Sequence, residues 1–467
     1  MRGMDIKELR KRYEKYLEEG THGYFEPDEL VLISESYEQD MSYRKALKAV
    51  LYGLELYPTS EMLLLRKAIC LLMLGRVEDA SQALSAVTEH NLEYYFTCAE
   101  LNLVRQDNEA TLHDFLDIIR SSECTIEDCI DVLDMCADYD KVELLPLITP
   151  VVESRFDDVS AYWREVAILY EEKDNNTIAA ELYNKVLDVN PYSVDDWFSL
   201  AKLYARTKDY TQALEACDFA LAIAPNDESI IAFKGYCYYD NNQFNDAVEQ
   251  FKLFLQCTSD KAVAYELIAE ASGRMEKHEE AIEYLLKAVA LNDRNHDLYY
   301  QLAINHYYMG HIDDAVYYLR KAVACDDSDD EAHMLLGELL LQKQEYEESY
   351  KHLSRLQLNP LVDTVPAAAL ADVCIQLERY DEAAEVLMLL IKQDIFEPHY
   401  YFDVILCYMQ MGDYDTAVKW VARAEEIADD AVFMSKLDAD SRQAWQTIKD
   451  QIDKLRNILS VYLDKKL

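Results

Sequence analysis

An all-helical stack of hairpins is the fold this sequence predicts, and three observations predict it. First, aligned on one alanine, the segments Asn176-Thr-Ile-Ala179, Tyr210-Thr-Gln-Ala213, Phe244-Asn-Asp-Ala247, His278-Glu-Glu-Ala281, Ile312-Asp-Asp-Ala315, Tyr346-Glu-Glu-Ser349, Tyr380-Asp-Glu-Ala383 and Tyr414-Asp-Thr-Ala417 recur every 34 residues. A strict period of that length marks an array of helix pairs. Second, a chain of 467 residues exceeds the roughly 250–300 residues that one compact core supports, so it forms either several domains or a solenoid whose units touch only their neighbours. Third, 10 Gly and 9 Pro against 51% hydrophobic residues argue for helices and against disorder or a β-rich fold.

Taken in order, residues 5–18 form one short helix, with Ile6, Leu9, Tyr13, Tyr16 and Leu17 on one face and Gly20 and Gly23 ending it. Residues 1–26 read as an N-terminal cap. Residues 27–91 hold two regular units, with Tyr43-Arg-Lys-Ala46 and Val77-Glu-Asp-Ala80 at the alanine position. Residues 92–159 leave room for two degenerate units: Thr111 and Leu145 replace the alanine, the junction before Leu92 is three residues short, and Pro146 and Pro150 are expected to interrupt a second helix. Residues 160–431 hold eight regular units starting at Ser160, Val194, Glu228, Ala262, His296, Asp330, Thr364 and Pro398. Small residues at the eighth and twentieth positions let two helices approach, and Tyr183, Phe251, Leu285, Leu319, Leu353 and Leu387, four later, fill the space between units. Lys208-Asp209, Asp240-Asn241-Asn242, Gly310 and Gly412-Asp413 make the turns, where Gly and Asn tolerate left-handed backbone. Residues 432–467 supply Phe433, Leu437, Trp445, Ile448, Ile452, Leu455, Ile458, Leu459 and Tyr462 for one or two capping helices.

The net charge is −44, and residues 27–431 carry more than all of it, because the two ends together are slightly basic. Nucleic acid, which demands a basic footprint, and anionic membrane surfaces are therefore not expected partners. Acidic helix faces keep such a rod soluble, and the recurring Glu181, Glu215, Glu249, Glu283 and Glu385 at the twenty-second position form a negative stripe able to steer a basic partner. The N-terminal residues lack the apolar core of a secretory signal, and the apolar run from Met62 to Leu74 is cut by Arg66 and Lys67, so a cytoplasmic location is expected. Eleven cysteines without a C-x-x-C pair fit a reducing compartment. Cys124, Cys129 and Cys136 come nearest to a cluster, but no histidine stands at ligand spacing.

Trp163, Ala167, Tyr170, Ala179, Tyr183 and Pro191, echoed by Trp197, Ala201, Tyr204, Ala213, Ala220 and Pro225, resemble the tetratricopeptide repeat (TPR) pattern. The resemblance covers 27–91 and 160–431 well and 92–159 weakly. It implies a right-handed α-solenoid superhelix of about twelve hairpins, whose first helices line a concave groove that binds peptides or partner proteins.

No phosphate loop, nucleophile elbow or H-E-x-x-H pair occurs, so no enzyme and no cofactor is expected. His296, His306 and His311 fall at the first, eleventh and sixteenth positions of one unit, which face different directions, so no metal site is expected. The run Asp326-Asp327-Ser328-Asp329-Asp330-Glu331 lacks the Gly and terminal Glu of a calcium loop and reads as helix capping. On the groove face, positions 2, 5, 9, 12 and 13 bring Arg164, Phe198, Lys202, Arg206, Tyr236, Tyr239, Arg274, Tyr300, Tyr307, Tyr308 and Phe402 as candidate partner-binding residues; Tyr and Arg are frequent energetic anchors. Chaperone adaptors of the resembled family pair Lys and Asn at the fifth and ninth positions. In this chain those pairs are Arg164 and Ile168, Phe198 and Lys202, Ala232 and Tyr236, Glu266 and Glu270, and Tyr300 and Ile304, so Hsp70 or Hsp90 tails are not expected. The expected function is a non-enzymatic scaffold that binds a protein or peptide segment. The alternatives are a peptide sensor that changes superhelix shape and an enzyme with a site in 92–159.

Overall fold

In a computed structural model of the chain, residues 6–19, 24–356, 364–392, 397–430 and 439–464 are described; 26 α-helices, one short 3₁₀ turn and no strand occur among them. The chain divides into two compact units, Met1–Pro225 and Asn226–Leu467. The boundary falls inside the run of eight repeats. Each unit is built of antiparallel helix hairpins stacked in chain order.

The repeat acts through its small residues. All the twentieth-position residues, from Ala179 and Ala213 in the first unit to Ala247, Ala281, Ala315, Ser349, Ala383 and Ala417 in the second, are fully buried. Ser349, the one departure, donates its hydroxyl to the Gly337 carbonyl at 2.6 Å, so its buried oxygen is satisfied. Position eight meets position twenty-four across the hairpin. A Cβ added to Gly235 would sit 2.5 Å from the Phe251 ring, and one on Gly337 2.5 Å from Leu353 Cγ. Backbone and bulky side chain are therefore in direct contact.

Every second helix of the eight repeats begins at the first residue of its aligned segment, from Asn176–Val189 to Tyr414–Asp429, and the first helices begin at the residues expected except for Lys261–Arg274, one residue early. Just before each second helix lies a residue with φ between 54° and 80°, at 41, 75, 106, 140, 174, 208, 242, 276, 310, 344, 378 and 412. Three are glycine, at 75, 310 and 412; the others include Lys208, Glu276, Gln344 and Glu378. The turn geometry is thus imposed by the two helices it joins, and most side chains there accept the steric cost of left-handed backbone.

These turn residues also clarify segment 92–159. Gln106, Asp140 and Asp174 follow one another at 34 residues, in register with the later array, while the step from Gly75 to Gln106 is 31. The shortfall falls where the second helix, Val77–Leu84, has only 8 residues. Pro146 and Pro150 do not interrupt their helix, contrary to expectation: Leu145–Arg155 runs through both. Pro146 sits in the first turn, where no N–H is needed, and the N–H that Pro150 lacks would have bonded Pro146, so both losses fall in one turn. Leu145, Ile148 and Val152 hold that helix in a core shared with Cys129 and Cys136.

At the start of the chain, Ile6–Glu19 packs on Pro27–Gln39 through Leu9 and an aromatic group of Tyr13, Tyr16, Phe25 and Tyr52. At the end, Ala439–Asp464 lies against Pro398–Gln410 and Tyr414–Asp429. Trp445, Ile448, Ile452 and Leu459 are buried there, but Ile458 is exposed, because the seam advances by three and four residues and skips it. Gly20, Gly23, Phe433, Leu437 and the Tyr462 side chain lie outside the described residues. No described helix is long and apolar enough to cross a membrane.

Two substitutions test the packing and the turns by urea and thermal melts of the full chain. Gly337→Ala should destabilise by about 1–3 kcal/mol, since its Cβ would overlap Leu353. Gln344→Gly, at φ 64°, should stabilise by about 0.5–1 kcal/mol by relieving the turn. Opposite signs would mean that neither close helix contact nor left-handed turn strain governs the repeat.

Candidate partner-binding cleft

In the second unit, the helices Lys261–Arg274 and His296–Tyr308 stand side by side as first helices of successive hairpins. A cleft of about 780 Å³ opens along them, lined by Glu270, Gly273, Arg274, Glu276, His278, Tyr300, Gln301, Ile304, Asn305 and Tyr308, with Ala269 at its floor. Gly273 leaves room for Asn305, whose amide Oδ1 would lie 3.4 Å from any added Cβ. Asn305 is buried and well anchored: its Nδ2 donates to the Gln301 carbonyl at 2.8 Å, and its Oδ1 lies 3.0 Å from His278 Nδ1. The His278 ring in turn stacks on Tyr308, centroids 5.3 Å apart. Tyr308 itself is 67% exposed, so a large aromatic face is offered to solvent beside a rigid polar floor.

The cleft is acidic. Tyr239 donates its hydroxyl to Glu270 at 2.7 Å, and Gln301 Nε2 donates to Glu266 at 3.1 Å. Burial, and then the carboxylates of Asp297 and Glu270, raise the Glu266 carboxyl above its ordinary range. Burial and the Glu270 bond push the Tyr239 phenol to about 12, and burial with Glu270 and Glu266 nearby raises Tyr236. The following first helices continue the pattern. Glu338 and Asp372 are raised by burial, and Asp403, by burial and the neighbouring Asp372, reaches about 6. Arg274, 5.9 Å from the Tyr239 ring centroid, is the one arginine or lysine among the lining residues.

The expected candidates therefore separate. Arg274, Tyr300 and Tyr308 line the cleft, Tyr239 and Tyr236 lie against its carboxylates, and Tyr307 is 5.8 Å from Tyr308. Phe402 packs half-buried on the core of the final hairpins. In the first unit, Arg164 is committed to buried Asp196 by two bonds of 2.6 and 2.7 Å, and Arg206 donates to Asn176 at 2.6 Å. Lys202 lies over the Phe198 ring, 4.6 Å from its centroid. Sequence reasoning missed Glu266, Glu270, His278, Gln301 and Asn305, although the two glutamates occupy the fifth and ninth positions and were legible there.

Two histidine groupings complete the chemistry. His306 and His311 do face one another, with ring centroids 5.9 Å apart, because the turn at Gly310 folds the second helix back; helical spacing alone does not describe positions across a turn. Buried His333 and His352 share a hydrogen bond of 2.7 Å between their Nδ1 atoms. His333 Nε2 lies 2.7 Å from Arg355 Nη1 and 3.3 Å from the Asp327 carbonyl. Burial and then the charge His333 would carry push His352 down to about 4. In the acidic run, Asp329 accepts from the Ala332 N–H and caps Asp330–Gln342, while Asp327 pairs with Arg355.

Comparison with known proteins gives three family matches. A tetratricopeptide-repeat model matches residues 167–228 and a second one residues 262–295. The model for the anaphase-promoting complex, cyclosome, subunit 3 matches residues 308–388. The TPR repeat-containing protein MJ1428 of Methanocaldococcus jannaschii is 27% identical over 152 residues, 32% of this chain and 27% of that one. Human DnaJ homolog subfamily C member 7 is 24% identical over 244 residues, 49% of this chain and 43% of that one. The chain thus spans less than half the length of these curated relatives. The crystal structure of the APC/C hetero-tetramer Cut9-Hcn1 is 14% identical and covers 96% of this chain and 94% of that one, with a TM-score of 0.31.

The buried histidine pair gives a pH test. His352 titrates near 6.5 when unfolded and about 4 when folded, so the unfolded chain binds the extra proton and stability falls as pH drops from about 6.5 to 4. The contribution is roughly 2–3 kcal/mol. Because the raised carboxylates act in the opposite sense, the measurement is the difference between wild type and His352→Gln in urea melts at pH 7 and 4.5; that gap should shrink at the lower pH.

Proposed function

The chain belongs to the tetratricopeptide-repeat proteins, and on that premise we propose that it is a scaffold whose second unit holds a Lys- or Arg-bearing segment of a partner protein in the cleft between Lys261–Arg274 and His296–Tyr308. One observation carries the reading: Tyr300 and Tyr308 line one open surface with the carboxylates Glu270 and Glu276 and a single arginine or lysine, and the partly buried Glu266 stands behind it on Gln301. A buried carboxylate without a counter-charge is unfavourable, and an incoming cation relieves it. Tyr300 and Tyr308 add ring faces that attract Lys and Arg through their quadrupoles. The match of residues 308–388 to a subunit of the anaphase-promoting complex fits a part played within an assembly. The acidic body outside the cleft would speed encounter with a basic partner and make binding weaken with salt.

A photo-crosslinking residue placed at Ile304, inside the cleft, or at Glu283, on an exposed second-helix face, tests the assignment in cells. Crosslinked partner peptides from position 304 should contain Lys or Arg and should disappear on Tyr300→Ala with Tyr308→Ala, in a chain that still melts cooperatively. Partner crosslinks from position 283 alone would move the docking surface off the cleft.

A further inference from the structure

The turn between His296–Tyr308 and Ile312–Cys325 gathers two imidazoles and a carboxylate. One ligand atom each from His306, His311 and Asp314 lies within 4.8 Å of the others. His306 Nδ1 is 3.8 Å from Asp314 Oδ2 and is closed off from solvent without a hydrogen-bond partner. Its ring plane is fixed by stacking on Tyr318, centroids 5.3 Å apart and nearly parallel. A buried ring nitrogen in that state is uncompensated unless something binds it.

The array supplies its own control. At the eleventh position the other regular units carry Tyr170, Tyr204, Tyr238, Ser272, Leu340, Cys374 and Tyr408, and at the sixteenth Asn175, Asp209, Gln243, Lys277, Glu345, Arg379 and Asp413. Only this unit has histidine at either place, and it has both. The neighbouring Asp313 is engaged by Lys343 at 2.8 Å, whereas Asp314 is turned toward His306. His311 stands at the N-cap of its helix and makes no side-chain capping bond.

We propose that His306, His311 and Asp314 bind one divalent transition metal ion of the zinc class, with a fourth position left to water or to a partner's side chain. Two imidazoles and one carboxylate suit Zn²⁺, Ni²⁺ or Co²⁺ and not Mg²⁺ or Ca²⁺, which take oxygen ligands. A tetrahedral ion about 2.0–2.1 Å from each donor holds the donors about 3.3–3.4 Å apart. Exposed His311 and Asp314 can close the remaining distance by side-chain rotation, while His306 stays fixed. Bound metal would clamp the turn that follows Tyr307 and Tyr308. The proposal is independent of what occupies the cleft.

The test uses the full chain without a histidine tag, stripped with chelator and carrying Cys257→Ser and Cys325→Ser to remove the exposed thiols. Calorimetric titration with Zn²⁺, and with Co²⁺ followed by its visible absorption, should give one ion per chain and a raised melting temperature. His311→Ala and Asp314→Asn, both at exposed positions, should leave the metal-free melt unchanged and weaken binding roughly tenfold or more. Absence of saturable binding, or undiminished affinity in both variants, overturns the site.

Discussion

The fold rests on how little side chain stands where the two helices of a hairpin cross. At Gly235 and Gly337 there is no room even for a methyl group, because Phe251 and Leu353 occupy the space. In most hairpins a small residue on the first helix meets a larger one on the second. Alanine opposes leucine at Ala269 and Leu285 and at Ala303 and Leu319, and in the last hairpin the larger Ile405 faces the smaller Val421. Interiors packed to crystal-like density make each such contact sensitive to an added methyl group. Once this crossing is set, the backbone of the connecting turn has no choice, which is why Lys208, Glu276, Gln344 and Glu378 hold left-handed conformations that glycine would adopt more easily.

The same constraint explains where variation is allowed. Positions eight, twenty and twenty-four are fixed by packing, whereas five, nine and twelve of the first helices face away from the crossing. Along the second unit, position five passes through Ala232, Glu266, Tyr300, Met334, Ala368 and Phe402, with no common size or charge. A surface that the fold does not dictate is where recognition can be written without loss of stability, and the cleft at Tyr300 and Glu270 is built from such positions.

Helix starts were legible because the alanine that marks them is also the residue that makes the crossing possible. The features that were not legible had three physical causes. Left-handed turns without glycine, such as Gln344, leave no compositional trace. Pro150 looked like a breaker because its effect depends on Pro146 four residues earlier, a pairing that single-residue propensity ignores. In the cleft, attention to scarce basic groups passed over the glutamates, and two of those basic groups, Arg164 and Arg206, are already engaged by Asp196 and Asn176. The histidines at 306 and 311 were separated by a helical wheel that stops applying at Gly310.

Charge balance makes the acidic cleft intelligible. With 45 basic against 89 acidic residues, there are about two carboxylates for every cation, so cations are shared. Arg66, itself mostly buried, reaches Glu35, Glu38 and Glu93 on the first helices either side of its own. Arg320 holds Glu345 and Glu348, and Lys343 holds Asp313 and Glu345. Apart from Lys343 with Glu345, which closes the turn of one hairpin, these pairs join neighbouring hairpins. Cations committed there are not available to Glu266 beside the cleft or to Glu338, Asp372 and Asp403 on the first helices that follow, whose carboxyls burial raises above their ordinary range. A surface whose carboxylates are poised in this way gains more from a cation brought by another molecule than an ordinary solvated acidic face does, because the desolvation has already been met in folding.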